Sequence, residues 1–483
     1  MKHPALIILI VSCIAPGWAQ TATVTTKAFY VATDGNDTNP GTLAKPFVTL
    51  ARCQAAMRAS GTTKTCYIRA GTYRPPVAGG NCLWGHSAGS SIGLGPMDRG
   101  ETWSYYPPDG YGSAVLNGQS TLGASGKSGG NGTGCAFGDN NATNITINGL
   151  QFEDYQFSAF WGHFASSLTF VNNTVHNLTS AVWVAGGVAL VDSPSSVVRN
   201  NYFYDIAYIG VGLWQANGAN EGDSNTTIGN NAIINSCTWP AVSGGGNDQN
   251  GGDCSALYVN KGASRFEAVN IRLMYNYVRD VNSSSNGTGD FGYCCAVGIY
   301  LDDGASNVTA SGNVTAGKIS GCFHLHGGNN NVIKGNICDL DHTASQTIVV
   351  FAWDKHKFPM TGNVFANNIV IADSSGEGLG YGGGSAPNRM TIQGNAYYNY
   401  GGRSIKWTGR AATGSDTKPT YVNPQLSCWT YSLADDSPAS KSPVNFPPQP
   451  ANWGQPGFWG PPGFVIPHSG TPPSGCNSPF HQP

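Results

Sequence analysis

The sequence predicts an all-β solenoid, and three observations carry that reading. From residue 144 onward, an apolar segment interrupted by Asn or Gly-Asn returns repeatedly. A second series of short apolar strands alternates with it. The composition agrees: of 483 residues, 66 are glycine, 40% are hydrophobic and only 11% are charged. That balance suits a folded chain of many strands and turns. A short period with inserted loops is how a coil stacked on itself appears in sequence.

The first 19 residues read as a secretory leader. Lys2 and His3 precede the apolar run Ala5–Ala15, and Gly17-Trp18-Ala19 puts small residues at the cleavage positions. The run is too short to cross a bilayer, and no other stretch is long enough, so no membrane partner is expected. Cleavage removes Cys13 from the 13 cysteines and leaves an even number. Disulfides and a secreted, extracellular or periplasmic location are therefore expected. Cys53 with Cys66 is the expected local pair, and the adjacent Cys294 and Cys295 are expected to take different partners. A net charge of −2 offers no basic stripe for a nucleic acid.

Residues 20–408 read as one solenoid domain with its cap. Phe29–Ala32 is a strand, 34–42 a long turn, and Leu50–Ala59 has helical spacing with Leu50, Cys53 and Met57 on one face. A strand and a turn follow at 66–76. This opening, YV-x-x-x-G-x-D-x-NPGT-x-x-x-PF-x-TL followed by I-x-AGTY, resembles the N-terminal cap of secreted, pectin-lyase-like carbohydrate-active proteins. Residues 101–119 resemble their first coil. The resemblance implies a right-handed parallel β-helix with an N-terminal capping helix, a fold that hydrolases, lyases and epimerases share.

The repeat itself needs no resemblance. Asn173, Asn201, Asn231, Asn276, Asn313, Asn336, Asn368 and Asn395 occupy matching places, at intervals from 23 residues (313 to 336) to 45 (231 to 276). Stacked amides would bond along the axis, and Asn tolerates a left-handed corner. The second strand series is 188–192, 211–215, 256–260, 298–303, 322–326 and 349–354. Aligning the strand ends puts Asp192, Gln215, Asn260, Asp302, His326 and the Trp353-Asp354 pair in one column, within about nine coils. The loops 244–254 and 282–295 are placed to wall a cleft there. Residues 409–483, rich in Pro, Gly and Ser and carrying Cys428 and Cys476, read as a C-terminal wrap over the last coil and its exposed edge.

Residues 296–307, AVGIYLDDGASN, concentrate the chemistry. Alternation sends Ile299 and Leu301 into the core and Tyr300 and Asp302 outward, with Asp303 at the turn. Rungs are roughly 4.8 Å apart, so Asp302 and Asp354, two rungs apart, fall roughly 9–10 Å from each other, near the roughly 6.5–9.5 Å of inverting glycosidases. Asp302, Asp303, Asp354 and His326 are the catalytic candidates, with Asp253 or Asp290 as alternatives to Asp354. Two close carboxylates raise the pKa of one, as a general acid requires. Trp214, Tyr258, Tyr300 and Trp353 are expected to stack on sugar faces, with Asn260, Lys261, His324 and Lys355 as polar contacts. The bland alternatives are a turn-capping Asp, a surface His ladder, solvated lysines and ordinary aromatic packing.

The same column resembles the site of polygalacturonase-like β-helix hydrolases. Asn260, Asp302-Asp303, His326-Gly327 and, loosely, Lys355 or Lys357 take its places. Asn260 is followed by Lys261 rather than leading to a second Asp, and no Arg-x-Lys is present, so galacturonate specificity is not carried over. The opening and GIYLDDG look closer to the xylosidase- and fucosidase-like members. The resemblance implies a polysaccharide-degrading glycoside hydrolase; no cofactor is expected, and the chain is expected to be a monomer. The alternatives are a lyase or epimerase, with a Lys, His or Tyr base and Ca²⁺ on Asp302 and Asp303, or a non-catalytic carbohydrate-binding solenoid.

Overall fold

The computed structural model describes residues 27–476 except 78–81, 83–88, 122–131, 180–183, 217–221, 239–253, 262–267, 282–295, 320, 341–346, 353–359, 374–377, 383–389, 403, 410–415, 442 and 470–471. Its strands form three parallel sheets of twelve, eleven and eleven strands, each strand pairing with its counterpart one coil away. This is a right-handed parallel β-helix. The twelve-stranded sheet runs from Phe29–Val31 to Met390–Gln393. The site sheet runs from Ser90–Leu94 to Ile405–Gly409, and the extension sheet from Gly71–Tyr73 to Ala396–Asn399.

Each recurring Asn segment proves to be two strands and a corner. In one coil, Thr169–Val171 belongs to the twelve-stranded sheet and Thr174–Leu178 to the extension sheet. Between them Asn173 is fully buried, while Asn172 has φ 59°. The recurring Asn thus marks the inner corner residue, and its predecessor turns left-handed. Asn, Tyr275 or Gly fills that outer position, as in Asn200, Asn230, Gly312 and Gly335. The expectation that the column Asn itself turns left-handed is corrected. Its amide instead bonds along the axis: Asn231 Nδ2 donates to Asn276 Oδ1 at 2.9 Å, and Asn276 Nδ2 to Asn313 Oδ1 at 3.0 Å. Asp416 receives the last rung from Asn395 at 2.8 Å.

The first end is closed by the helix Leu50–Ser60. Thr49 caps its start by accepting from the Arg52 N–H at 3.1 Å, and the left-handed Gly61 ends it. Leu50, Cys53 and Met57 are buried, and the expected Cys53–Cys66 disulfide ties the helix to the first coils. Four more disulfides stand among the described residues: Cys82–Cys135, Cys237–Cys254, Cys322–Cys338 and Cys428–Cys476. Cys294 and Cys295 lie outside them, as does the leader. No helix of the described residues is long and apolar enough to cross a membrane.

The segment after the last coil does more than close it. Thr420 pairs with Ala396 at the end of the extension sheet. The chain then doubles back along that sheet, where Tyr431, Val444, Phe446, Phe458 and Trp459 pack on Tyr277, Val314, Ile337 and Ile369. It reaches as far as Asn200, whose side chain donates to the Gly457 carbonyl at 3.3 Å.

Candidate active site

Strand register decides which side chains meet. Trp214 pairs with Asn260, Asn260 with Asp302, and His326 with Ala352. Leu301 pairs with Leu325, which puts His326 beside Asp302. Asp192 and Gln215 therefore sit one residue past the row that holds Asn260 and Asp302, because the earlier strands run one residue short of the alignment by strand ends. Trp214 takes the row position expected for Gln215. Trp353, Asp354 and Lys355 lie outside the described residues, together with Asp253, Asp290 and most of the two insertions.

Alternation works as expected, with Val259, Leu301 and Leu325 buried in the core. The outward row is nevertheless packed, not solvated: Tyr258, Tyr300 and His324 are each 1% exposed and Trp214 is 2% exposed. They form one ladder, with ring centroids 5.4 Å apart for Trp214 and Tyr258, 5.3 Å for Tyr258 and Tyr300, and 4.3 Å for Tyr300 and His324. Tyr300 and His324 stack face to face while Tyr258 meets Tyr300 edge to face, so the rings pack on one another and are not laid open to a pyranose ring. Burial lowers the His324 pKa to about 3, so its imidazole is neutral at physiological pH. This ladder is a floor under the carboxylates.

On that floor the two aspartates part company. Asp302 is 2% exposed. Its Oδ2 accepts from the Tyr258 hydroxyl at 2.5 Å, and its Oδ1 lies 2.6 Å from His326 Nδ1 and accepts from the Asp303 N–H at 2.7 Å. Burial alone would raise its pKa. The hydrogen bonds from His326 and Tyr258 outweigh burial and hold the carboxyl below its usual range. Of the two carboxyls, one of which is expected from the sequence to be raised, Asp302 is therefore not the raised one. Asp303 turns left-handed, φ 47°, which swings its side chain away; that side chain is 33% exposed. Asn260 Nδ2 reaches both aspartates, at 3.3 Å from Asp302 Oδ2 and 3.0 Å from Asp303 Oδ2. His326 is 21% exposed, and its Nδ1 stands 3.8 Å from Asp303 Oδ1. Lys261 is half-buried beside them, its N–H donating to the Asp302 carbonyl at 3.3 Å.

Sequence reasoning missed the task of Tyr258, which is to clamp Asp302. The alternation of ALYVN did hold the signal, since it puts Tyr258 and Asn260 on one face. The arrangement offers a buried anion that orients an imidazole, and beside it a carboxylate open to solvent.

No protein-family model matches the sequence, and no curated protein matches it. Solved structures do. A GH136 lacto-N-biosidase from Eubacterium ramulus shares 12% identity with a TM-score of 0.51, over 82% of this chain and 68% of that one. XylC in complex with xylose gives 12% and 0.49, over 83% and 87%. A rhamnogalacturonan lyase gives 13% and 0.44, over 82% and 87%. These neighbours, and others that include a mannuronan C-5 epimerase module, are carbohydrate-active enzymes on β-helix folds. The likeness establishes the fold and leaves the reaction to the site.

Proposed function

We propose that the chain is a secreted glycoside hydrolase that acts on a polysaccharide as a monomer. The observation that carries the reading is the pairing of solvent-reaching Asp303 with the anchored couple Asp302–His326 on the outer end of the site sheet. In this mechanism Asp303 gives a proton to the glycosidic oxygen as the bond from the anomeric carbon breaks. The imidazole of His326, steadied at Nδ1 by the Asp302 anion, takes a proton from the water that attacks that carbon. Asp354, expected two rungs from Asp302 in the same column, is the candidate second carboxylate. The leader-like opening and the disulfides support export.

The Asp302–His326 couple also suits abstraction of a proton α to a uronate carboxylate, and this keeps a lyase as the second reading. Ca²⁺ fits the donor set poorly. It takes about six to eight oxygen ligands, whereas Asp302 already accepts from Tyr258, His326 and the Asp303 N–H, and the third donor is a nitrogen. A lyase here would rest on His326.

Purified protein is assayed on neutral and uronate polysaccharides, reading reducing ends and ultraviolet absorbance of unsaturated products together. The hydrolase reading expects reducing ends without absorbance, falling by about 10²–10⁴ in Asp303→Asn and His326→Ala. Absorbance rising with cleavage would replace it with the lyase. Activity unchanged in both variants would sink the site.

A further inference from the structure

The extension does not seal the whole extension sheet. Beside it lies a cavity of about 680 Å³, walled by Tyr202, Tyr204, Asp205, Asn235, Asp280 and Lys318 and roofed in part by Pro467 and Pro472. It stands on a different sheet from Asp302 and Asp303. Its volume is in the range that holds a small ligand, roughly 300–1,000 Å³.

Its polar rim is built by the coil repeat. Asp205, Asn235 and Asp280 are the last residues but one of successive strands of the sheet, all left-handed, with φ 52°, 57° and 55°. The next coil brings the left-handed Gly317 and then Lys318. One polar side chain per coil therefore faces the cavity, at a spacing of roughly 4.8 Å. Asn235 Nδ2 donates to Asp205 Oδ1 at 2.5 Å, which fixes both groups, and the Lys318 N–H donates to Asp280 Oδ1 at 2.9 Å. Lys318 is exposed and forms no ion pair among the described residues.

The aromatic wall presents edges and hydroxyls rather than faces. Tyr204 stacks on His176 at 4.6 Å and on Tyr202 at 4.7 Å, and Tyr202 meets Phe464 of the extension at 4.3 Å. A ligand here meets phenol hydroxyls, an amide, one ammonium and two carboxylates, of which Asp280 is backed by the buried Arg279 guanidinium at 3.4 Å. Acceptors outnumber cations, which suits a ligand rich in hydroxyl donors and opposes an anionic one. The geometry points to a second saccharide-binding site, specific for a neutral oligosaccharide and independent of the candidate active site. It would hold a chain along the solenoid axis while Asp303 and His326 work on another stretch.

Affinity electrophoresis of the full chain tests this, with xylan, dextran or polygalacturonate cast in the gel and Asp303→Asn used to prevent digestion. Retardation by a neutral polymer and none by polygalacturonate is expected. Retardation should weaken about tenfold, roughly 1.4 kcal/mol, when Lys318→Ala and Tyr204→Phe are combined. Both changes are mild for folding, because Phe keeps the ring stack and Lys318 is exposed. Retardation unchanged in the double variant, retardation by polygalacturonate alone, or none by any of the three would each overturn the site. The outcome is separate from hydrolysis, which the first assay reads without these residues.

Discussion

Asp302 and Asp303 are adjacent in sequence yet have opposite environments, and the difference assigns their work. Tyr258, His326, Asn260 and the Asp303 N–H hold Asp302 as an anion, so its contribution to stability has a definite sign. A carboxyl whose folded pKa lies below its unfolded value stabilises fully above that unfolded value, about 3.9, and stops doing so as pH falls through the folded pKa. Tyr258→Phe removes one of those donors without opening a cavity. The folded pKa of Asp302 then rises toward the unfolded value. The variant is expected to lose about 1.5–3 kcal/mol at neutral pH, as for a hydrogen bond to a charged group. The deficit should close as the solution is acidified below the carboxylate range. Urea unfolding across a pH series measures it. A deficit that is constant at all pH would mean that the hydroxyl serves packing and not the charge.

At the scale of the element, the buried Asn column adds side-chain hydrogen bonds between coils to the strand ladders and the shared apolar core. Asn276 accepts from the Asn231 N–H and amide, and donates to the Ile228 carbonyl at 3.0 Å and to Asn313 Oδ1. Asn276→Ala strands all of these partners in a dry interior, and a loss of at least about 3 kcal/mol is expected. The outer neighbour Tyr275, at φ 58°, tolerates Gly or Asn on backbone grounds. A urea midpoint for Asn276→Ala equal to that of the parent would show that water or a shifted backbone replaces the amide. Much of this was legible in the sequence, because the column Asn recurs at one place in the coils from Asn173 to Asn395. Its direction was not: both residues of an Asn-Asn corner look alike until one is seen buried. The site row was legible to within one residue for the same kind of reason. Alternation fixes which face Tyr258, Asn260 and Asp302 share, while strand ends vary in length and misplace Gln215 and Asp192. Nothing in the sequence shows that the outward row Tyr258, Tyr300 and His324 is packed into a ladder, since exposure depends on what covers the sheet.

Over the whole molecule, a solenoid is stabilised coil by coil, each in contact with its neighbours alone. The extension changes this, because it touches coils from Asn200 to Asn395 in one continuous run. It is locked at Asp339, which accepts from the Tyr431 hydroxyl at 2.6 Å and from Ser474, and at Arg279, whose buried guanidinium lies 4.7 Å from the Trp429 ring centre. The Cys428–Cys476 disulfide closes the run with a sequence separation of 48. It ties the residues that face Arg279 to those that face Asp339. Opening that loop should destabilise the extension by about 2–4 kcal/mol, with the coils untouched. Cys428→Ser with Cys476→Ser is therefore expected to split a single thermal transition in two. In the first step the extension leaves, and the apolar surface around Tyr277, Ile337 and Ile369 binds a hydrophobic dye. In the second the coils unfold. One transition at the parent temperature would mean that the sheet contacts alone hold the extension. One transition at a lower temperature would mean that the extension and the coils fold only together, and that the wrap is as much a part of the solenoid as any strand.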